Sequence, residues 1–209
     1  MKKILCFGDS NTFGFNPENG RRYDSNTRWT KVLEHLTYQK FKIIEAGCNN
    51  RTAFVDNPSG ELQTGYKILP KILSTDLDYI IIAIGINDIQ YSYNTTLEDV
   101  EKGISSIIEI VKNNCPNTKI ILLSPSVLND NILNSYFSTM FDKISIKKSH
   151  SYAEIYKRIS DKYNCVFLNL SEIAPVSSID GLHYDSEGHK KIAYALATII
   201  NNDCYANLT

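Results

Sequence analysis

The clearest apolar run in the sequence is Tyr79-Ile80-Ile81-Ile82-Ala83-Ile84, whose residues do not alternate between apolar and polar. A run of this kind is typical of a strand in a parallel sheet that helices cover on both faces. Including this one, the sequence predicts five strands buried on both faces: 3–7, 41–45, 78–84, 119–123 and 165–168.

The segments between these strands have a helical period. In 97–111 the apolar residues recur at steps of three and four, which predicts an amphipathic helix. Pro70 is a point where a second helix can kink, and Asp185 or Ser186 is a suitable N-cap for the last one. Helices are therefore predicted at 30–36, 63–73, 97–111, 151–163 and 186–200. This alternation predicts an α/β fold, a three-layer α/β/α sandwich with right-handed crossovers around a five-stranded parallel sheet.

Length and charge indicate one globular domain over residues 1–209. Hydrophobic residues make up 43% of the 209 residues and charged residues 22%, which is ordinary for a globular protein. The formal net charge is -1, and this argues against broad nucleic-acid binding, because that activity needs a surplus of cations.

The sequence gives no sign of a membrane segment, a disulfide framework or a metal site. The apolar residues before Gly8 are too few for a secretory signal, and no run is long enough to span a bilayer. We therefore expect a cytoplasmic protein with no membrane partner. The five cysteines form no CxxC pair, so neither zinc nor paired disulfides are expected.

Polar residues that can support acyl transfer follow the predicted strands. Because the carboxyl ends of parallel strands share one edge of the sheet, we expect these residues to lie close together. They include hydroxyl, amide, carboxylate and imidazole groups, which are the components of a serine hydrolase. The segments are 8–12, 47–52, 85–88, 124–126 and 180–183.

Three of these residues form a candidate catalytic triad. A serine hydroxyl is a weak nucleophile until a base takes its proton, and His183 is the base that we expect to act on Ser10. Asp180 lies three residues before His183, so a tight turn can bring its carboxylate to one imidazole nitrogen. His189, the competing histidine, lies inside the last predicted helix and is expected on the helix surface or behind the site.

Three hydrogen-bond donors are available for the oxyanion of a tetrahedral intermediate: the backbone N–H groups of Ser10 and Asn50 and the side-chain amide of Asn87. Each motif taken alone has an ordinary explanation, since Gly, Asp, Asn and Ser dominate turns. The conjunction of several such motifs at strand ends favours a catalytic site.

The long connection 124–148 has two interpretations. It contains Tyr136, Phe137, Met140 and Phe141, so it can form a short helix or flap, and long ordered connections in compact domains are often functional. The alternative is a plain surface excursion.

These motifs resemble those of the SGNH hydrolases, also called GDSL esterases. Gly8-Asp9-Ser10, Gly85-Ile86-Asn87-Asp88 and Asp180-Gly181-Leu182-His183 are similar to three of the family's blocks. The resemblance implies a flavodoxin-like sandwich, with Ser10 as nucleophile, Asp180 and His183 as acid and base, and Asn87 in the oxyanion hole. It implies no cofactor.

Finer features resemble the arylesterase and acyltransferase branch of that family, among them Arg28-Trp29-Thr30 and Leu123-Ser124-Pro125. This implies that Trp29 and the 124–148 connection lie near the substrate, although simple core packing would also explain Trp29. The candidate substrate-binding residues are Asp9, Asn11, Trp29 and Phe137. Members of this branch often form oligomers, so the resemblance also implies that the protein can associate into a homo-oligomer.

Asn50 departs from the family pattern, which usually has glycine or another small residue there. Asparagine tolerates a positive φ better than most residues, so the backbone donor is expected to survive while the side chain intrudes on the site. A catalytically silent relative is the alternative that this departure raises.

We therefore predict a serine esterase that hydrolyses short-chain, acetyl-like esters of small molecules through an acyl-enzyme, with acyl transfer to an alcohol as a second outcome. One alternative is a carbohydrate O-acetyl esterase with the same triad. A non-enzymatic alternative is a flavodoxin-like binding module that uses 8–14 as a phosphate loop. That interpretation lacks the usual glycine pattern and gives Asp180 and His183 no role.

Overall fold

Five parallel strands form one sheet in the order β2-β1-β3-β4-β5. The computed structural model describes residues 1–38 and 40–206, without the side chains of 204–206, so Cys204 lies outside the described side chains. This strand order is that of flavodoxin-like folds, and it confirms the predicted fold class. The strands are β1 (Lys2–Gly8), β2 (Phe41–Gly47), β3 (Tyr79–Ala83), β4 (Lys119–Ser124) and β5 (Val166–Asn169).

Each of the five predicted helices is present, and three shorter ones join them. Pro70 lies inside α3, which ends at Ile72. Asp185 caps α8, because its Oδ1 accepts a hydrogen bond from the backbone N–H of Gly188 at 2.7 Å. The helices are α1 (Ser10–Phe13), α2 (Trp29–Leu36), α3 (Gly65–Ile72), α4 (Leu97–Asn114), α5 (Lys143–Ser149), α6 (Tyr152–Tyr163), α7 (Leu170–Ile173) and α8 (Ser186–Ala206).

A hydrophobic core lies on each face of the sheet. Successive strand residues point to opposite faces, so Ile80 packs in one core with Leu69 and Ile107, while Ile81 packs in the other with Leu33 and Leu196. Helices α3, α4 and α6 cover the first face, and α2 and α8 cover the second. Strand β5 departs from the prediction of full burial: Val166 is 43% exposed, because β5 is an edge strand.

The 124–148 connection is anchored over the carboxyl ends of the strands. It folds into two short 3₁₀ helices, Asp130–Asn134 and Tyr136–Thr139, followed by α5. Its backbone is tied on one side to the triad loop, where Asn129 N–H donates to Gly181 O at 3.2 Å. On the other side, the backbone carbonyl of Met140 in this connection accepts a hydrogen bond from Tyr91 N–H at 3.0 Å.

No helix in the described ranges has the length and apolar character that crossing a lipid bilayer requires.

Candidate active site

Ser10, His183 and Asp180 meet at the carboxyl edge of the sheet. Ser10 begins α1 directly after β1, and His183 lies in the loop that leads into α8. His183 Nε2 is 2.9 Å from Ser10 Oγ, and His183 Nδ1 is 2.6 Å from Asp180 Oδ2. All three side chains are buried. The structure thus places His183 within hydrogen-bond distance of both Ser10 and Asp180.

A tight turn holds Asp180 against the imidazole. Asp180 Oδ1 accepts the backbone N–H groups of Leu182 and His183, both at 3.0 Å. Burial acts to raise the pKa of Asp180, but hydrogen bonds from the His183 ring and from these two N–H groups outweigh it and hold the pKa below its ordinary value. An ionised Asp180 favours the tautomer with the proton on Nδ1, which leaves the Nε2 lone pair facing Ser10.

The backbone at Gly181 explains how the turn closes. Its φ is +73°, and a side chain there would collide with the backbone nitrogen of Ile132 in the 124–148 connection. Glycine therefore allows the connection to approach the triad loop.

The three predicted oxyanion donors line one pocket with His183. Asn50 has a φ of +59°. Within the described chain, the backbone N–H groups of Ser10 and Asn50 donate to no protein acceptor. Asn87 Nδ2 donates to Arg51 O at 3.0 Å, which leaves its second N–H for a ligand. All three residues therefore have a donor available to a ligand in this pocket.

Asp88 joins the loop of Asn87 to the loop of Asn50. Its carboxylate accepts the backbone N–H groups of Ala53, Phe54 and Val55 at 2.7, 2.9 and 3.0 Å. Burial raises the pKa of Asp88 to about 7, against the effect of these donors. No role could be predicted for Asp88, because the partners of a carboxylate beyond its own turn depend on tertiary structure.

Arg51 ties the same loop to the end of β1. Its Nη1 donates to Gly8 O at 3.0 Å and Ala46 O at 2.5 Å, and its guanidinium lies over the Phe7 ring. The positions of Ser10 and Asn50 are thereby fixed relative to each other.

Aromatic and apolar side chains form the rest of an open pocket of about 300 Å³. The rings of Phe15 and Phe137 lie 4.2 and 5.0 Å from the His183 ring, measured between centroids, and Phe137, a candidate substrate-binding residue, lines the pocket. Five pocket residues were not among the predicted site residues: Phe15, Asn49, Tyr136, Met140 and Leu182. All except Phe15 lie in segments that the sequence pointed to, but no chemical role distinguished them there.

The positions of Asp9, Asn11 and Trp29 do not support the prediction that they bind substrate. None of them lines the pocket beside Ser10, because their polar atoms are used inside the protein. Asp9 Oδ1 caps α1 by accepting Asn11 N–H at 2.9 Å. Burial raises the pKa of Asp9 to about 7.

Asn11 and Trp29 instead hold α1 against the neighbouring elements. Asn11 Nδ2 donates to Leu182 O at 3.3 Å, and Asn11 Oδ1 accepts Tyr184 N–H at 3.2 Å. Trp29 Nε1 donates to Asn11 O at 3.1 Å, and the indole is buried. The environment of Trp29 fits the core-packing explanation.

His189 is fully buried, so the expectation of a place on the helix surface was wrong, and the alternative place behind the site fits. Its Nδ1 accepts the backbone N–H of Trp29 at 3.3 Å, while Nε2 has no hydrogen-bond partner among the described residues. Burial, with a smaller effect of His183, lowers the pKa of His189 to about 3. His189 is therefore a neutral packing residue behind the site.

In the described part of the chain, no group of three or more His, Cys, Asp and Glu side chains could hold a metal ion.

Residues 6–191 match the model of the GDSL-like Lipase/Acylhydrolase family. No curated protein sequence matches the chain. Among solved structures, the aryl esterase of M. smegmatis is 28% identical, with a TM-score of 0.89 over 97% of this chain and 99% of that one.

Two proteins of Sinorhizobium meliloti are similar to the same extent. A carbohydrate acetylesterase family member is 28% identical, with a TM-score of 0.88 over 96% of this chain and 97% of that one. The carbohydrate acetylesterase Est24 is 26% identical, with a TM-score of 0.90 over 97% of this chain and 99% of that one.

Proposed function

The chain belongs to the GDSL-like lipase/acylhydrolase family and is a carboxylic ester hydrolase, and we propose that it cleaves short-chain, acetyl-like esters through a covalent intermediate on Ser10. The observation that carries this proposal is the 2.9 Å contact between His183 Nε2 and Ser10 Oγ, with Asp180 at 2.6 Å on the other side of the imidazole. This is the geometry that general-base activation of a serine requires.

In the first half of the reaction, Ser10 Oγ attacks the ester carbonyl carbon while His183 Nε2 takes the hydroxyl proton. Asp180 stabilises the imidazolium that forms. The tetrahedral intermediate then collapses, the alcohol oxygen leaves with the proton from His183, and the acyl group stays on Ser10.

The negative charge of the intermediate develops on the former carbonyl oxygen. The backbone N–H groups of Ser10 and Asn50 and the free N–H of Asn87 are the donors proposed to receive it. Loss of one such donor typically lowers kcat by about 10² to 10³.

In the second half, a water molecule gives a proton to His183 and attacks the acyl carbon. The bond from this carbon to Ser10 Oγ then breaks as His183 returns the proton to Oγ, which releases the acid and restores Ser10. An alcohol in place of water would give a new ester, and this is the route to acyltransferase activity. No step requires a cofactor, because each proton that leaves one of these groups is taken up by another.

The pocket supports a second candidate for the alcohol part of the substrate. The half-buried Asn50 and the exposed Asn49 supply amides, while Phe15 and Tyr136 supply rings, and such a mixture suits an acetylated sugar as well as an aryl ester. A panel of acetylated sugars beside aryl acetates separates the two substrate classes by kcat/KM.

The decisive variant is Ser10→Ala. We expect clear hydrolysis of an activated aryl acetate by the wild type and a rate near background in the variant, because the nucleophile is lost. Ser106→Ala is the matched control, since among the described residues the Ser106 hydroxyl bonds only to Gly103 O within α4. Equal rates in the wild type and Ser10→Ala would overturn the proposal.

A further inference from the structure

Gln90 lies beside the oxyanion donors and has no role in the mechanism described above. It directly follows the 3₁₀ helix Ile86–Ile89 that carries Asn87, and it is buried. Its side-chain Nε2 donates to Asn50 Oδ1 at 2.8 Å and to Asn87 Oδ1 at 3.3 Å. One amide therefore contacts two of the three residues that are proposed to bind the oxyanion.

A backbone carbonyl fixes the direction of the hydrogen bonds among the side-chain amides of Asn87, Gln90 and Asn50. The carbonyl of Arg51 can only accept a hydrogen bond, so the side-chain group of Asn87 that faces it is the NH₂ group. Asn87 then presents Oδ1 to Gln90, and Gln90 must donate. Its second N–H requires an acceptor, so Asn50 also presents Oδ1 to Gln90.

An unsupported Asn87 would have a competing orientation. If the Asn87 amide turned by 180° about its Cβ–Cγ bond, its oxygen would lie in the pocket and would repel a developing oxyanion. Gln90 adds to the effect of the Arg51 carbonyl in opposing this flip, because the flipped state would set the NH₂ of Asn87 against the NH₂ of Gln90 as well as its Oδ1 against the Arg51 carbonyl oxygen. A hydrogen-bond partner behind a catalytic group is a general way to fix its orientation.

From this geometry we propose that Gln90 is a positioning residue of the oxyanion hole, which orients the amide of Asn87 and holds the side chain of Asn50 in place. The inference rests on the proposed function, since it assigns Gln90 a part in stabilising the same intermediate. Gln90 does not touch the reacting atoms and acts through Asn87 and Asn50. Its loss should therefore lower kcat more than it raises KM.

The first test compares Gln90→Leu with Gln90→Lys on an aryl acetate. Leucine has a similar size but no donor, and we expect kcat to fall about tenfold with a small change in KM, which is the scale of one lost hydrogen bond. Lysine keeps a donor toward both Oδ1 atoms, so it should retain several times more activity than leucine.

This order of activities separates positioning from packing. If Gln90 only fills space, leucine should be tolerated and the buried cation of lysine should be the more damaging change. Thermal unfolding of both variants shows whether either has lost its fold. A Gln90→Leu variant that is folded and as active as the wild type would overturn the inference.

The second test is a double-mutant cycle with Asn87→Ala. If Gln90 acts mainly through Asn87, the Gln90→Leu change should lower kcat about tenfold in the wild type and much less in the Asn87→Ala background. Equal effects in both backgrounds would contradict this coupling. A wild type without esterase activity would instead refute the proposed function itself, so the two failures are distinguishable.

Discussion

At the scale of the residue, Asn50 shows how a departure from the family pattern is accommodated. Its φ of +59° lies in the left-handed region, which asparagine tolerates better than most residues. The side chain bonds to Gln90, and the backbone carbonyl accepts Asn57 Nδ2 at 2.7 Å. The tolerance of a positive φ could be predicted from the residue type. The partners could not, because they come from other loops.

Replacing the Asn50 side chain with the hydrogen of glycine should widen the range of acyl groups that the enzyme hydrolyses. Glycine adopts the same φ, so Asn50→Gly should keep the backbone donor and open pocket space beside Ser10. We expect the ratio of kcat/KM for a hexanoate ester to that for an acetate ester to rise by roughly tenfold. A series of aryl esters of increasing acyl length measures this ratio.

The control for this prediction is Asn164→Gly. Asn164 has a φ of +53° at the end of α6 and does not line the pocket, so its replacement should leave the ratio unchanged. An unaltered acyl-length profile in Asn50→Gly would show that its side chain does not limit the pocket.

At the scale of the element, the packing of α8 against α2 depends on a neutral histidine. His189 lies in the first part of α8 and accepts the backbone N–H of Trp29 at the start of α2. Helical periodicity predicted both helices. It did not predict this burial, because periodicity identifies the apolar face of a helix and a histidine can lie on either side of it.

The burial of His189 predicts a loss of stability in acid. The folded pKa is about 3 and the unfolded value is near 6.5, so below about pH 6.5 the unfolded state binds a proton that the folded state does not. This contribution to stability is present above about pH 6.5 and falls by up to about 1.4 kcal/mol per pH unit as the pH decreases.

A variant that cannot titrate isolates this effect. In His189→Asn the amide oxygen can accept the Trp29 N–H in place of Nδ1, so the variant should lose about 1 to 2 kcal/mol less stability than the wild type between pH 7 and pH 5. Urea unfolding at both pH values measures the difference. Parallel losses in the wild type and the variant would contradict the prediction.

The wild type and His189→Asn must be compared with each other because other groups titrate in the same pH range. The raised pKa values of Asp9 and Asp88, both about 7, mean that the folded state holds their protons more tightly than the unfolded state. Their contribution to stability therefore grows as the pH falls, which opposes that of His189. His35→Asn, on the exposed side of α2, is the control and should follow the wild type.

At the scale of the whole molecule, the topology of the sheet explains why much of the site could be predicted. Parallel strands place their carboxyl ends at one edge, so Ser10, Asn50, Asn87 and the loop of His183 had to converge once the strands were identified. The same rule does not say whether a strand-end side chain faces the pocket or the interior, and Asp9 and Asn11 do not line the pocket beside Ser10.

The pocket wall could not be predicted in this way. Phe15, Tyr136 and Met140 lie in segments whose sequence has no repeating pattern, and the place of the 124–148 connection depends on anchors such as Asn129 N–H to Gly181 O. The self-association as a homo-oligomer that the resemblance implies stays a prediction, and the oligomeric state in solution tests it.

The most direct test of the central claim is covalent labelling of Ser10. A fluorophosphonate should react once per chain, peptide mapping should place the label on Ser10, and esterase activity should fall in proportion to labelling, because an activated serine attacks phosphorus as it attacks an ester carbonyl. Ser10→Ala should take up no label. Inactivation with the label on another residue, or full activity with Ser10 labelled, would contradict the account.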